Sequence, residues 1–168
     1  MPTVKIEVSR FSTKKQRELL NMLKDRNVLK QANTILKDYI NAFVPKQSGK
    51  LRRSTIVTHQ SISWGRRLPY ARYQYNGQIY GPNFPIIRNG RIVGWYSRPG
   101  SIKHPTGRMM SAYTMGSEWM GYNFGYSEPG TGHHWDQLFN KSLRWKAQAN
   151  RDVTAYLKQE CGKRGLKK

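Results

Sequence analysis

A helix-length amphipathic run that stops abruptly constrains this chain more than any other feature. Val28, Ala32, Ile35, Leu36, Tyr39, Ile40 and Phe43 recur at the spacing of one helical face, with Lys30, Lys37 and Asp38 falling elsewhere. Pro45 cannot continue that helix without losing a backbone hydrogen bond, and it disfavours helix at Val44. Ser48-Gly49 then signals a turn, and Ser54-Thr55-Ile56-Val57 opens a strand-like run. The stretch from Val44 to Ser54 therefore switches the backbone from helix to extended chain, and the fold must pack both kinds of element.

The flanking segments repeat the mixture. Val4, Ile6 and Val8 alternate with Lys5 and Glu7, the period of a short strand. Thr13 and Gln16 have the spacing of a capping box, and the helix after them would bury Leu19, Leu20 and Leu23 before a break at Asp25 to Asn27. Thr55 to Ile62 reads as strand, as does the alternation of Tyr70, Arg72 and Gln74 with Ala71, Tyr73 and Tyr75. Asn89-Gly90 between Ile86-Ile87-Arg88 and Arg91-Ile92-Val93 predicts a hairpin. The remainder through Gly132 is a long Gly- and Pro-rich excursion that carries Trp95, Tyr96, Tyr113, Trp119, Tyr122, Phe124 and Tyr126. Trp135, Leu138, Phe139, Ser142, Trp145, Ala149, Val153, Tyr156 and Leu157 predict one last helix, with Lys146 against the pattern and Gly162 as its stop.

A chain of 168 residues can bury a core without staples. The single cysteine, Cys161, forms no internal disulfide, which fits assembly in a reducing cytoplasm. No apolar run approaches the length of a transmembrane helix, and the first residues lack the apolar stretch of a signal peptide. The expected organisation is one domain over 1–168, with 78–130 as an extended insertion and 162–168 as a mobile basic tail.

The charge is extreme. Thirty Lys and Arg stand against nine Asp and Glu, for a formal +21. No acidic residue occurs between Tyr39 and Ser117, whereas Lys46, Lys50, Arg52, Arg53, Arg66, Arg67, Arg72, Arg88, Arg91, Arg98, Lys103 and Arg108 do. Such a segment repels itself unless a polyanion or an acidic neighbour screens it. Nucleic acid is one candidate, through its phosphates, and an acidic protein in an assembly is another. Trp64-Gly65-Arg66-Arg67 and Tyr70-Ala71-Arg72-Tyr73 mix rings with guanidiniums, which suits single-strand platforms and protein hot spots alike. Arg52, Arg53, Arg66 and Arg67 are the first candidates to face nucleic acid or a partner.

Catalytic chemistry has little to stand on. His133-His134 with Asp136 offers two convergent ligands at most, fewer than zinc requires. No two of the nine acids are paired at short spacing, as a two-metal nuclease needs. Cys161 sits at the end of a helix with no His near it in sequence, and Gly130-Thr131-Gly132 lacks the Lys-Ser or Lys-Thr of a phosphate loop. Neither an enzymatic activity nor a metal or other cofactor is expected.

Three elements in order carry a resemblance. Pro45, Gly49, Leu51, Arg52 and Ser54 fill a Pro-x-x-x-Gly-x-Leu-Arg-x-Ser element that closes a helix. Tyr70, Ala71, Tyr73, Tyr75 and Gly77 fill a Tyr-Ala-x-Tyr-x-Tyr-x-Gly element, and Trp135 with Phe139 opens the last helix. Over residues 12 to 77 and 131 to 157 the chain resembles the minor capsid, or neck, proteins of tailed bacteriophages, with 78–130 lacking a counterpart. The resemblance implies an α+β fold, with amphipathic helices packed on a small antiparallel sheet. It also implies a structural role as a head–tail connector or tail-completion subunit of the virion, assembled in the bacterial cytoplasm. The implied partners are further copies in a six-fold ring, a portal-side or head-closure protein, a tail-tube or terminator protein, and viral DNA in the channel, with no membrane. The alternative is a basic, non-specific nucleic-acid-binding protein outside any virion.

Overall fold

The computed structural model describes residues 12–46, 48–96, 98–110 and 130–166. The expected strand over Val4 to Val8 and the aromatic run from Tyr113 to Tyr126 lie outside the described residues. Helices and short antiparallel sheets make the protein α+β, as the sequence predicts. Among the described residues the strands form three two-stranded ladders. The backbone groups into two compact units. Of the described residues, one contains 12–41, 55–63 and 139–166, and the other contains those of 42–54 and 64–138.

The first unit is built on helices. α1 (Thr13–Lys24) begins after Ser12, whose carbonyl accepts from the Gln16 N–H at 2.9 Å. The Thr13–Gln16 capping box is not formed, because Thr13 already lies inside the helix. Leu19 and Met22 are buried, but Leu20 is 49% exposed, since it points away from the side that carries the other two. Asp25 ends α1 in extended backbone and starts α2 (Arg26–Asn41), its carboxylate accepting from the Asn27 N–H at 2.9 Å. The break expected at Asp25 to Asn27 is thus one residue that closes one helix and caps the next. α2 buries Val28 and Ile40, with Ala32, Ile35, Leu36 and Tyr39 half-buried, and it stops four residues short of Pro45.

The expected strand over Thr55 to Ile62 is shorter. β1 (Ile56–Val57) pairs antiparallel with β2 (Ile62–Ser63) around a turn at Thr58. The Thr58 hydroxyl accepts from the Gln60 and Ser61 N–H groups, and the Thr58 carbonyl accepts from Asn33 Nδ2 at 2.9 Å, which ties this hairpin to α2.

The predicted final helix is divided. α5 (Trp135–Lys141) ends where Ser142 takes extended backbone, and α6 (Leu143–Lys163) starts there, with the Lys146 N–H on the Ser142 carbonyl. Serine competes poorly inside helices and favours their first position. The break leaves Trp145 43% and Leu143 81% exposed, whereas Ala149 and Leu157 further along are buried. Tyr39 of α2 meets Trp145 edge-on at 6.0 Å, and its hydroxyl donates to the Asp152 carboxylate.

α6 stops at Gly165 rather than Gly162. Gly165 is left-handed at φ +67, the Leu166 N–H reaches the Cys161 carbonyl, and the Gly165 N–H reaches that of Gly162. This is a Schellman cap, which brings the residue after the glycine back onto the last turn. Leu166 is accordingly buried with Leu19, Met22, Val28 and Leu157, and Cys161 packs against the same cluster. Residues 162–166 of the expected mobile tail are therefore held. Burial pushes the Cys161 thiol up from its ordinary pKa, and the thiol lies 3.7 Å from the Met22 sulfur.

The second unit opens with the turn after Pro45. Gly49 is left-handed at φ +72 and precedes a single helical turn, α3 (Lys50–Arg53), before the chain extends. The run of Tyr70 to Tyr75 is helix, not strand: α4 (Ala71–Asn76) lies between Pro69 and a left-handed Gly77. Six residues fit either period, and packing of the i, i+4 pair Ala71 and Tyr75 decides between them. The described part of the excursion that follows, from residue 78 to 109, carries four strands. β3 (Gln78–Gly81) pairs antiparallel with β6 (His104–Met109), and between them β4 (Phe84–Arg88) pairs with β5 (Arg91–Tyr96). Asn89 at φ 50 and Gly90 at φ 72 form the expected hairpin turn. Tyr80 of β3 stacks on Tyr73 of α4 at 3.8 Å, and Lys103 donates to the Pro82 carbonyl and to Asn83 Oδ1.

The ion pair Arg164–Asp25, at 2.6 Å, joins the end of α6 to the α1–α2 junction. The Arg164 guanidinium, and then the Asn27 N–H, hold the Asp25 carboxyl below its ordinary value of 3.8. A depressed carboxyl pKa stabilises the fold above the unfolded value, and that contribution is lost as pH falls through the folded one. Asp25→Asn keeps the capping oxygen and removes the charge. It should lower the melting temperature at pH 7 and converge with the parent below pH 3.8. A gap that stays constant from neutral to acid pH would show that the pair contributes nothing.

Candidate functional site

Residues of the first two motif elements meet at Gly65, and Trp135 of the third joins them through Trp64 and Tyr75. The Ser54 hydroxyl donates to the Leu51 carbonyl at 2.6 Å and accepts from the Gly65 N–H at 2.8 Å. Gly65 is left-handed at φ +67, a conformation that costs a side-chain-bearing residue about 1–2 kcal/mol. A Cβ at that position would stand 2.1 Å from the Ala71 Cβ and 3.0 Å from Leu51 Cδ1. Only glycine at 65 and a small residue at 71 allow this approach. Leu51 is 4% exposed and Ala71 is 6% exposed, so the contact is closed to water. Ser54, Leu51 and Ala71 thus occupy their motif positions because they form one seam with Gly65.

Arg52 and Pro45 close one side of it. Arg52 Nε donates to the Val44 carbonyl at 2.8 Å, the residue Pro45 forces out of helix. Gly49 lies under Arg53, whose guanidinium would be 2.7 Å from an added Cβ and which donates to the Ser48 carbonyl.

Tyr75 closes the other side. Its ring meets Trp135 edge-on at 4.7 Å and His134 at 4.9 Å, and its hydroxyl donates to Asp136 at 2.9 Å. Burial, and then the Asp136 carboxylate, push the Tyr75 hydroxyl above its ordinary pKa. Trp64, next to Gly65, meets Trp135 edge-on at 6.2 Å. The Tyr75 carbonyl at the end of α4 accepts from the His134 N–H, and Gly77 lets the His133 side chain approach where a Cβ would be 2.9 Å from it. Trp135 is 4% exposed and Phe139, one turn later, is 2% exposed. Tyr70 starts α4 and is 39% exposed. The arrangement is a clamp of aromatic edges and backbone hydrogen bonds. Among the described residues no group of three or more His, Cys, Asp or Glu could hold a metal ion, and no helix is long and apolar enough to cross a membrane.

The four arginines singled out in the sequence divide in two. Arg52 is half-buried and committed to the Val44 carbonyl, and Arg53 folds back over Gly49. Arg66 and Arg67 are exposed on the turn that starts at Gly65, where the Leu68 N–H returns to the Gly65 carbonyl at 2.8 Å. Gly65 itself is the residue that sequence reasoning passed over. Its signal was present, since Gly between Trp64 and two arginines can mark a turn, but its true partners are Leu51, Ser54 and Ala71.

Gly65→Ala should destabilise the fold by about 2–4 kcal/mol, combining left-handed strain with overpacking. Ala71→Gly alone should cost about 1 kcal/mol as a helix glycine. The double variant should recover the overpacking part, so the two changes will be strongly non-additive in urea unfolding. Additive losses would mean that the two residues do not touch.

Among known proteins, the family profile described as "Minor capsid protein" matches residues 4–104, which is more than half the chain. The match includes both elements around Gly65 and runs on through residues 78–104, a segment for which the motif elements alone offered no counterpart; it ends before Trp135. No curated protein and no solved structure matches the chain significantly. The span of the match, more than half the chain and including the residues that form the seam at Gly65, leads to one conclusion: the chain belongs to the minor capsid protein family of phages, and is a structural protein of the virion.

Proposed function

We propose that the protein is a head–tail connector subunit, one of a ring of copies that joins the DNA-filled capsid to the tail. The observation that carries this reading, within the family, is the charge of the second unit. Its bases from Lys46 to Arg108 are exposed apart from Arg52 and Lys103, and no acid lies between Tyr39 and Ser117. A subunit that lines a passage for DNA can carry such a surface, because the polyanion screens it. The neck between portal and tail tube is the place in a virion where a minor protein meets DNA and other proteins together. The three ordered motif elements support the same role.

Deleting the gene should give DNA-filled or leaking heads and free tails by negative-stain microscopy, with no joined particles. Normal infectious particles from the deletion strain would remove the connector reading.

Arg66 and Arg67 are the preferred phosphate contacts, because both are exposed on a turn held by the Ser54–Gly65 bond. The purified protein should bind duplexes of unrelated sequence with similar affinity, and lose that binding steeply as salt rises. Replacing both arginines by serine should flatten the slope of log affinity against log salt by about 2, at roughly 0.9 per phosphate contact. An unchanged slope would place the DNA contacts elsewhere, and a chain that binds DNA yet is absent from particles would favour a nucleic-acid-binding protein outside the virion.

A further inference from the structure

The β4–β5 ribbon has features that a DNA-lining role does not use. Its two strands pair with each other and with no other strand among the described residues, so neither outer edge carries a described strand. A two-stranded ribbon is marginal in water by itself. A solvated antiparallel ribbon usually keeps one polar face, and this one does not. Residues opposite each other share a face, which puts Phe84, Ile86 and Tyr96 with Arg88 and Arg91 on one side, and Pro85, Ile87 and Ile92 on the other. Ile86 is 38% exposed, Ile87 62%, Val93 56% and Tyr96 45%. Apolar side chains are therefore exposed on both faces of the ribbon.

Its charges are unbalanced in the same place. Arg88 and Arg91 are direct cross-strand partners beside the turn, an arrangement in which like charges repel. Arg98 lies over the Phe84 ring at 4.3 Å and adds a third guanidinium to that face. The surrounding sequence has no acid to answer them. A second copy supplies a poor complement, since the whole chain is +21. DNA would neutralise the guanidiniums, but it would leave Ile86, Ile87 and Val93 in water unless the ribbon unstacked its bases. Arginine and tyrosine around exposed aliphatic side chains is the composition of a protein interface.

We propose that the ribbon from Phe84 to Tyr96 is a docking arm for an acidic surface on a different protein of the particle. The arm buries Ile86, Ile87, Val93 and Tyr96, and it sets Arg88 and Arg91 against carboxylates. The proposal rests on the connector reading for the location of its partner, so its test reads presence in the particle separately from contact.

A photo-crosslinking benzoylphenylalanine is placed at Ile87, and in a second variant at Val93, and phage are grown with each. Mass spectrometry of purified particles first establishes that the chain is present, and then identifies the crosslinked peptide after irradiation. The expected product joins the ribbon to a segment of another virion protein in which Asp and Glu outnumber Lys and Arg. R88E/R91E should lose that crosslink, and R88K/R91K should keep it. Both positions are exposed, and circular dichroism of each purified variant checks that the fold is kept. Crosslinks to DNA, to a second copy of this chain or to a basic segment would overturn the proposal. So would a chain that is present but uncrosslinked, or a crosslink indifferent to charge reversal. Absence of the chain from particles would remove the connector reading and this proposal with it.

Discussion

The approach of Gly65 to Ala71 and Leu51 is the constraint on which the second unit depends. It requires three conditions together: a left-handed backbone at 65, a small residue at 71, and a hydrogen-bond bridge from Ser54 that holds the two segments at that distance. Once they are met, α4 has a fixed place, and Tyr75 one turn along from Ala71 is presented to Trp135 and Asp136. Arg52 secures the other end by holding the carbonyl that Pro45 leaves outside the helix. Short motifs that are separated in sequence are in this way parts of one clamp, and their residue types follow from steric room and hydrogen-bond count.

That clamp is a structural device, and it suits a virion protein. It positions elements and leaves the chemistry of the surface to the loops around it. The turn carrying Arg66 and Arg67 leaves the clamp at Gly65, and the strands β3 and β6 leave it at Gly77, where the Met110 N–H returns to the Gly77 carbonyl at 2.7 Å. Exposed basic side chains are therefore carried on segments that are hydrogen-bonded back to the clamp at Gly65 and Gly77.

Much of this was legible in the sequence where local rules decide. Asp25 and Asn89-Gly90 act through their own backbones, and the break and the hairpin stand at those residues, whereas α2 already ends at Asn41, four residues before Pro45. The residues that misled did so because tertiary contacts override local period. Tyr70 to Tyr75 alternates like a strand, yet Ala71 and Tyr75 must share a helical face to meet Gly65 and Trp135. The apolar stripe from Trp135 to Leu157 continues in phase through Ser142, so period alone hides the break there. Gly162 had the type expected of a helix stop, but Gly165 is followed by Leu166, the apolar residue that the core can take. The importance of Gly65 could not be read locally, because its close neighbours come from positions 51, 54 and 71.

The central proposal is that this minor capsid family member sits in the neck with its basic unit facing an anionic neighbour. A symmetric cryo-EM reconstruction of the purified virion at side-chain resolution tests it most directly. The account predicts a ring of this chain between portal and tail tube, with Arg66 and Arg67 turned towards the channel. The chain found on the outer capsid shell, or a neck ring in which those arginines face bulk solvent, would contradict it.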